Sequence, residues 1–413
     1  MALAGKNILL GVSGGIAAYK AAELIRLLVA RQARVQVMMT PNAAQFITPL
    51  TLQTLSGRPV ASQTFDLGQE SQIGHIRLAD TADVIVIAPA SADLIAKAAV
   101  GIADDLVTTV LLAAHGPVAF APAMNVHMYA HPTVRENLAR LAARGVTVIE
   151  PAVGPLACGY EGQGRLCEPA SIVEQVEHLL TPHDLAGQRL LISAGPTQEA
   201  IDPVRFVSNR SSGKMGYALA RAAWMRGAEV RLISGPTALP VPGSVTRIST
   251  VSAEEMLRAT SDNFAWCTIL VMAAAVADFR PAVVAAQKIK KRSVRWRMEL
   301  EPIADQLPGL AARKGSRRII GFAAETEALL DNARAKLQHK KLDLIVANDV
   351  TAEGAGFAVD TNIVSLIDPS GRVESHPKLS KDEVANLILD RVAAMKPEAA
   401  ARRAGAVRVL SRR

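Results

Sequence analysis

The chain has 413 residues, half of them hydrophobic and a fifth charged, which suits a soluble globular protein of two or three domains. Its net charge of +8 favours anionic ligands, but basic residues are not interleaved with the aromatic ones that single-strand nucleic-acid binders stack on, so no nucleic-acid partner is expected. Apolar runs stop at nine residues (269–277), well short of the ~18 needed to span a membrane; the first strand begins without a cleavable signal pattern; and three cysteines, at 158, 167 and 267, fit neither a disulfide framework nor a zinc site. A cytoplasmic protein with no membrane partner is the expectation.

The first element is a strand opening at Lys6, followed by the glycine turn Gly11-Val-Ser-Gly-Gly15, a helical stretch to Ala30 and a second strand ending at Thr40-Pro41. Strand, glycine turn, helix, strand implies a parallel βαβ unit. The turn's N–H groups and the helix N-terminus make a potential anion site, with Ser13 able to donate to a phosphate. The spacing is not that of a dinucleotide fingerprint, so a mononucleotide or flavin phosphate fits better; a turn needed only for tight packing is the plainer reading.

His75 follows in Ile73-Gly-His-Ile-Arg77, either a base near neutral pH or an ordinary structural histidine. A buried strand at 84–88 runs into Ala88-Pro-Ala-Ser-Ala-Asp93, whose small residues admit a planar ligand, with Ser91 available for hydrogen bonding. After the strand at 118–121 comes Pro122-Ala-Met-Asn-Val-His-Met-Tyr129. It sits where a strand ends, the edge at which open α/β sheets bind ligands. Asn125 offers a donor and an acceptor without charge. Met124, Met128 and Tyr129 supply apolar wall, and His127 needs no role. By itself this octapeptide is equally an ordinary turn. A further strand is expected at 146–149. Cys158 lies in the glycine-rich stretch 154–164, which lacks periodicity and suits a mobile flap; a cysteine there can donate a proton or attack as a nucleophile. Cys167 and Cys267 read as small buried hydrophobes.

The helical pattern at 172–180 ends the first domain, and 181–187 reads as a linker. A second strand–turn–helix–strand unit then opens at Gln188, passes Ala194-Gly-Pro-Thr197 and a helix at 216–226, and closes at Gly235. Strands are expected at 269–273, 319–322 and 344–347, with a late antiparallel strand and turn within 357–376. Most are continuous apolar runs, as in strands buried on both faces. The fold class is therefore α/β, with two doubly wound, Rossmann-like domains at 1–180 and 188–395. Residues 396–413 form a basic, alanine-rich tail expected to be disordered. In the second domain, Asn209-Arg-Ser-Ser-Gly-Lys-Met-Gly216 is rich in donors and glycine but lacks Walker spacing. Ala273-Ala-Ala-Val-Ala-Asp278 ends a strand. The run Lys288-Ile-Lys-Lys-Arg292 is either a solvated face or a triphosphate site.

Together these segments resemble the bacterial bifunctional enzymes of coenzyme A biosynthesis, phosphopantothenoylcysteine decarboxylase joined to phosphopantothenate–cysteine ligase. Gly11–Lys20, His75, the octapeptide and Cys158 match the decarboxylase half. Ala194–Thr197, Asp202-Pro-Val-Arg205, Ser208–Gly216, Ala273–Asp278, Lys288–Lys291 and Gly321-Phe-Ala-Ala-Glu-Thr326 match the ligase half. The resemblance implies a flavodoxin-like flavoprotein domain that holds FMN through Ser13, Gly14, Gly15, Thr40, Pro89 and Ser91. Substrate would lie against Pro122, Ala123, Met124, Asn125, Met128 and Tyr129. His75 would serve the oxidation of the cysteinyl thiol, Asn125 would hold the departing carboxylate, and Cys158 would protonate the enethiolate.

The second domain would bind CTP with Mg2+ or Mn2+, join 4′-phosphopantothenate to L-cysteine through an acyl-cytidylate, and pass 4′-phosphopantothenoylcysteine on. Asn209 would assist acyl transfer. The CTP contacts carried over are Ala273, Ala274, Ala275 and Asp278, then Lys288, then Pro302, Ile303, Ala304 and Asp305, then Phe322, Lys336 and Lys340. Metal ligands are not carried over. Two positions depart from the family: Glu301-Pro-Ile-Ala-Asp305 stands where Asn-Pro-Asp-Ile is usual, displacing the acid, and Asp93 stands where many relatives carry asparagine. The resemblance further implies trimeric packing of flavin domains and dimeric packing of ligase domains, hence a homo-oligomer of twelve. The alternatives are a single-activity flavin-dependent cysteine decarboxylase and an FMN-binding regulatory subunit, neither of which needs the second domain.

Overall fold

The computed structural model describes residues 3–64, 74–155, 159–290, 296–305, 307–325, 327–349, 356 and 359–395. The chain divides into two compact units, Met1–Thr181 and Pro182–Arg413.

The first unit is built on five parallel strands: β1 (Asn7–Val12), β2 (Arg34–Met39), β3 (Val84–Ala90), β4 (Val118–Pro122) and β5 (Thr147–Val148). Their order across the sheet is β2-β1-β3-β4-β5. All seven residues of β3 are buried, because helices cover both faces. Helix Lys20–Ala30 buries Ala21, Leu24, Ile25 and Leu28, the helical spacing that puts one stripe on the sheet. The strand expected at 146–149 shrinks to two residues at the edge.

The order reverses at β1: β2 lies on one side, β3 on the other. The crevice this opens lies beyond the carboxyl ends of β1 and β3, where doubly wound sheets bind ligands. Residues 13–15, 40 and 89–91 all fall at that edge.

The glycine-rich stretch departs from its reading as an aperiodic flap. Ala152–Pro155 and Glu161–Arg165 pair as an antiparallel hairpin. Gly164 holds φ +153°, and a Cβ built on it would stand 2.4 Å from the Met124 carbonyl oxygen. Only glycine lets this strand lie so close to the octapeptide.

The second unit has an eight-stranded sheet. Its order is Thr246–Ser249, Glu229–Ser234, Arg189–Ala194, Ile269–Met272, Arg318–Glu325, Leu344–Asp349, Val364–Ile367 and Val373–Ser375. The first six are parallel and the last two antiparallel, the late antiparallel pair that the sequence suggests. The order reverses at Arg189–Ala194, and the crevice beyond that strand is flanked by Ile269–Met272. Residues 182–187 pack onto this unit instead of spanning between units. Leu185 is in its core, and the Asp184 carboxylate accepts 2.8 Å from Arg226 Nε, whose guanidinium also reaches Asp390 at 2.7 Å.

Two short ribbons occupy stretches that read as loop: Gln198–Ala200 with Phe206–Ser208, and Phe279–Pro281 with Leu300–Pro302. Strands of three residues carry no alternation long enough to be seen in sequence.

Gly235 ends the strand Glu229–Ser234, and a Cβ there would come within 1.8 Å of the Pro196 carbonyl oxygen. Backbone cannot yield as a side-chain tip does. Gly235→Ala is expected to destabilise this unit by about 1–3 kcal/mol, in the manner of overpacking, read as a lower urea midpoint at unchanged m-value. A midpoint equal to that of the parent protein would contradict the packing described. No helix among the described residues is long and apolar enough to cross a membrane.

Candidate active sites

In the first unit the crevice is fastened by Ser13, which is 1% exposed. Its hydroxyl donates to the Pro89 carbonyl (2.8 Å) and accepts from Ser91 N–H (2.8 Å), tying the end of β1 to the end of β3. A hydroxyl has one proton, so in this arrangement Ser13 builds the wall instead of donating to a phosphate as the sequence reading has it. The Ser91 oxygen caps helix Ala92–Val100 by accepting from Leu94 N–H at 3.3 Å. Gly14 presses against Asn42, where a Cβ would meet side-chain carbon at 2.5 Å, while the Cβ position of Gly15 faces open space.

Thr40 donates its N–H to Val12, and its hydroxyl is buried without a partner. Buried polar groups are nearly always paired. An unpaired hydroxyl at a ligand-binding edge, beside bare glycines and a helix start, fits a bound phosphate. This is the structural test that the flavin site meets.

The octapeptide joins the same edge. Ala123 N–H donates to the Ala90 carbonyl at 3.1 Å. Asn125 is the N-cap of helix Val126–Ala130: its Oδ1 accepts from His127 N–H at 2.8 Å. That commits the amide oxygen to the backbone at the start of the helix. Tyr129 is buried, its hydroxyl 2.7 Å from Glu150 Oε2. Burial, with the Glu150 carboxylate, pushes its phenol up to about 12, so it is a neutral wall with no proton to give at neutral pH. Met128 is half exposed.

The hairpin clasps this loop at two points. Met124 N–H donates to the Gly164 carbonyl at 2.9 Å, and Tyr160 stands edge-on to His127 at 5.0 Å. Gln163 Nε2 adds a bond to Glu150 at 3.1 Å. Cys158 itself lies outside the described residues. His75 opens helix His75–Thr81 with its Nδ1 buried and unpartnered; no hydrogen bond among the described residues joins it to the crevice edge. Cys167 and Cys267 are buried, and burial raises both thiols to about 11, as their reading as small hydrophobes requires.

In the second unit a cavity of about 570 Å3 opens at the switch point. Ser193 accepts from Ala274 N–H (3.2 Å) and Thr197 Oγ1 from Ala277 N–H (3.0 Å), so the strand-end segment 273–278 is tied across the crevice. Asn209 Nδ2 donates to the carbonyls of Ala275 (3.0 Å) and Val276 (3.2 Å). Ala273, Ala274, Ala275 and Asp278 line the cavity, as do Ile303, Ala304, Asp305, Phe322, Lys336 and Lys340. Pro302 and Lys288 are not in the wall; Lys288 is exposed.

The displaced acid now has an evident place. Lys340 Nζ meets Asp305 Oδ2 at 2.7 Å, and Leu307 N–H donates to its other oxygen at 3.0 Å. Burial would raise the Asp305 carboxyl, but these bonds hold it below its ordinary value.

Lys336 has no comparable bond among the described residues. Burial, reinforced by the neighbouring Lys340 ammonium, lowers it from the ordinary lysine value. An anion entering the cavity would relieve that cost. As pH rises, Lys336 loses its charge earlier than a free lysine, so affinity for an anionic nucleotide should fall early on the alkaline side. Lys336→Arg, which keeps its charge, should flatten that limb. A profile of the nucleotide KM from neutral to alkaline pH checks this; identical limbs for the two proteins would rule Lys336 out as the cause.

Among the wall residues that sequence reasoning did not single out are Lys214, Asn362 and Lys381. Lys214 sits in the donor-rich segment and could have been chosen there; it pairs with Asp360 at 2.6 Å. Asn362 is 4% exposed with Oδ1 unpartnered. Lys381 starts the last helix, its ammonium donating to the carbonyls of Thr361 (3.3 Å), Gly356 (3.4 Å) and Val359. Neither Asn362 nor Lys381 belongs to any motif; the sheet topology alone delivers them. No cluster of three or more metal-ligating side chains occurs among the described residues.

Residues 2–181 match the Flavoprotein family and residues 185–395 match the DNA/pantothenate metabolism flavoprotein C-terminal domain. The chain is 48% identical over 393 residues to the coenzyme A biosynthesis bifunctional protein CoaBC of Vibrio vulnificus, covering 94% of this chain and 98% of the relative. It is 49% identical over 397 residues to the same protein of Bacillus subtilis, covering 95% and 98%. The chain belongs to the bifunctional coenzyme A biosynthesis proteins. As a member of these bifunctional proteins it is an enzyme with a decarboxylase and a ligase activity, and its first unit is a flavoprotein. A crystal structure of the C-terminal domain of a bifunctional CoaBC protein is 43% identical, covers 51% of this chain and 96% of that one, and superposes with a TM-score of 0.44.

Proposed function

We propose that the two units catalyse consecutive steps, ligation in the second and decarboxylation in the first. The observation that carries this is the second cavity, where the fold gathers Asn209, Asp278, Lys336 and Lys340 from separate segments beside small residues that let substrate approach. The ligase substrates are CTP, 4′-phosphopantothenate and L-cysteine. The carboxylate of 4′-phosphopantothenate attacks the α-phosphorus of CTP, giving an acyl-cytidylate and pyrophosphate. The cysteine amine then displaces CMP and forms the amide. Lys336 and Lys340 supply charge for the nucleotide, joined by Lys288 from outside the wall. Asn209 fixes the carbonyls of 275 and 276, which frame the acyl centre. Mg2+ or Mn2+ would arrive on the nucleotide's phosphates, since such ions are commonly held by one or two carboxylates plus phosphate oxygens; of the two cavity-wall aspartates, Asp305 is paired with Lys340, and Asp278 would serve that use.

In the first unit FMN, when bound, would supply reversible hydride acceptance at the cysteinyl Cβ. The turn at 13–15 with Thr40, Pro89 and Ser91 would hold it. His75 would accept the thiol proton. The resulting thioaldehyde lets the carboxylate leave as carbon dioxide, because sulfur takes up the electron pair. Asn125 Nδ2 would orient that carboxylate. A neutral amide binds it without the strong ground-state stabilisation an arginine would give, which would slow its loss. Cys158 would protonate the enethiolate. The same reading has the enzyme work in the cytoplasm as a homo-oligomer of twelve.

The test is to supply 4′-phosphopantothenate, CTP, magnesium and cysteine to the FMN-loaded protein and identify products by mass spectrometry. 4′-Phosphopantetheine, CMP and pyrophosphate are expected. No CTP-dependent amide would refute the ligase assignment. Amide formed but never decarboxylated would refute the first-unit assignment. The single-activity and regulatory alternatives lack support, because the second unit carries its own family match and a complete cavity.

A further inference from the structure

The Asp202-Pro-Val-Arg205 segment has no part in the chemistry above. It forms the tip of the ribbon between Gln198–Ala200 and Phe206–Ser208. Asp202 is 3% exposed. Its Oδ1 accepts from the N–H groups of Val204 and Arg205, both at 2.9 Å. Its Oδ2 accepts from Arg205 Nε at 3.0 Å and from Ile289 N–H at 3.1 Å. Arg205, which also meets Asp202 through a terminal guanidinium nitrogen, donates to the Ile289 carbonyl at 2.8 Å. Ala285 N–H donates to the Ile201 carbonyl at 3.0 Å.

The turn itself needs only the bonds to Val204 and Arg205. The bond to Ile289 spans 87 positions in sequence, and with the Arg205 bond it gives both backbone polar groups of one distant residue a charged partner, the Asp202 carboxylate being buried and the Arg205 guanidinium exposed. Ile289 is the residue after Lys288. The excursion 282–299 leaves and returns through the paired strands Phe279–Pro281 and Leu300–Pro302, and this latch is a fixed point within it. Lys288 is exposed there, so its ammonium is accessible to a nucleotide while its backbone is held.

We infer that Asp202 is a positioning residue of the ligase reaction, fixing Lys288 through the Ile289 peptide with Arg205 as the second arm of the latch. The inference rests on the reading of Lys288 as a CTP residue. A long lysine on an unanchored excursion must be ordered each time nucleotide binds; anchoring its backbone removes part of that cost.

The test uses FMN-loaded full-length protein and a double-mutant cycle on kcat/KM for CTP. Asp202→Asn is expected to lower it about tenfold, on the scale of a lost positioning contact. Lys288→Gln should lower it further, and the double variant should match Lys288→Gln within about twofold, because coupled residues are not additive. Trypsin cleavage after Lys288, followed by mass spectrometry, should quicken in Asp202→Asn. Decarboxylation of 4′-phosphopantothenoylcysteine by the same preparations is the internal control.

Should Asp202→Asn fail to fold, Ile289→Pro removes the N–H that Asp202 accepts, together with the isoleucine side chain, and is expected to lower kcat/KM for CTP at least as much. Multiplying losses in the double variant, or unchanged CTP kinetics in Asp202→Asn and Ile289→Pro with unchanged proteolysis in Asp202→Asn, would overturn the inference while leaving Lys288 its role. A Lys288→Gln protein with unaltered CTP kinetics would overturn both.

Discussion

Asn125→Asp is expected to stop decarboxylation while ligation continues, so that 4′-phosphopantothenoylcysteine accumulates. The substitution is nearly isosteric, and the atom that caps helix Val126–Ala130 is preserved: aspartate offers the same oxygen to His127 N–H and is as good an N-cap as asparagine. What changes is the other side-chain atom. In the proposed role, an N–H donor becomes an anionic oxygen set against the substrate carboxylate. Losing one preorganised donor of this kind costs about 10²–10³ in rate, and like-charge repulsion adds to that. The helix should be unaffected, so thermal stability and flavin binding should hold. Asn125→Ser keeps the cap and removes the amide without adding charge, and is expected to retain more activity than Asn125→Asp. Decarboxylation by Asn125→Asp at the parent rate would remove Asn125 from the mechanism.

In the second unit the matching expectation is that Asn209→Asp abolishes ligation and leaves decarboxylation of supplied 4′-phosphopantothenoylcysteine intact. Asn209 Nδ2 donates to the carbonyls of 275 and 276 together. A carboxylate in its place would set oxygen against oxygen at both. The segment 273–278, which is otherwise tied to Ser193 and Thr197, would have to shift, taking the cavity wall with it. A fall of about 10²–10³ in ligase kcat is expected from one lost preorganised contact. Rapid quench with labelled CTP locates the step: missing acyl-cytidylate places Asn209 in activation, and an accumulating one places it in transfer to cysteine. Full ligase activity would show that the two carbonyls frame nothing of consequence.

The βαβ units were legible because each is local. A glycine turn between an apolar run and a helical stripe fixes strand, helix and strand within one continuous stretch, as the units at 6–40 and 188–235 show. The edge positions of 13–15, 40, 89–91 and 122–129 followed, since each ends an apolar run. Ser13 shows the limit of this. Its place was visible, but the carbonyl that takes its proton, at Pro89, comes from a strand 76 positions on. Asn362 and Lys381 were invisible for the same reason: each comes to the cavity through the late part of the sheet, with no local pattern to mark it. The glycine-rich stretch misled because glycine spacing alone does not distinguish a loose flap from a hairpin whose glycines are needed to clear the Met124 carbonyl.

What the amino-acid order determined by itself, then, was the set of longer core strands, their parallel succession and the residues that stand at their ends, because these depend on periodicity and turn chemistry a few residues long. What tertiary structure alone decided was which of those ends meet, which hydroxyl keeps a spare donor, and which lysine is buried enough to hold its charge at a cost. Those depend on atoms brought within about 3 Å from segments far apart in the chain, and hydrogen bonding and desolvation act at that range.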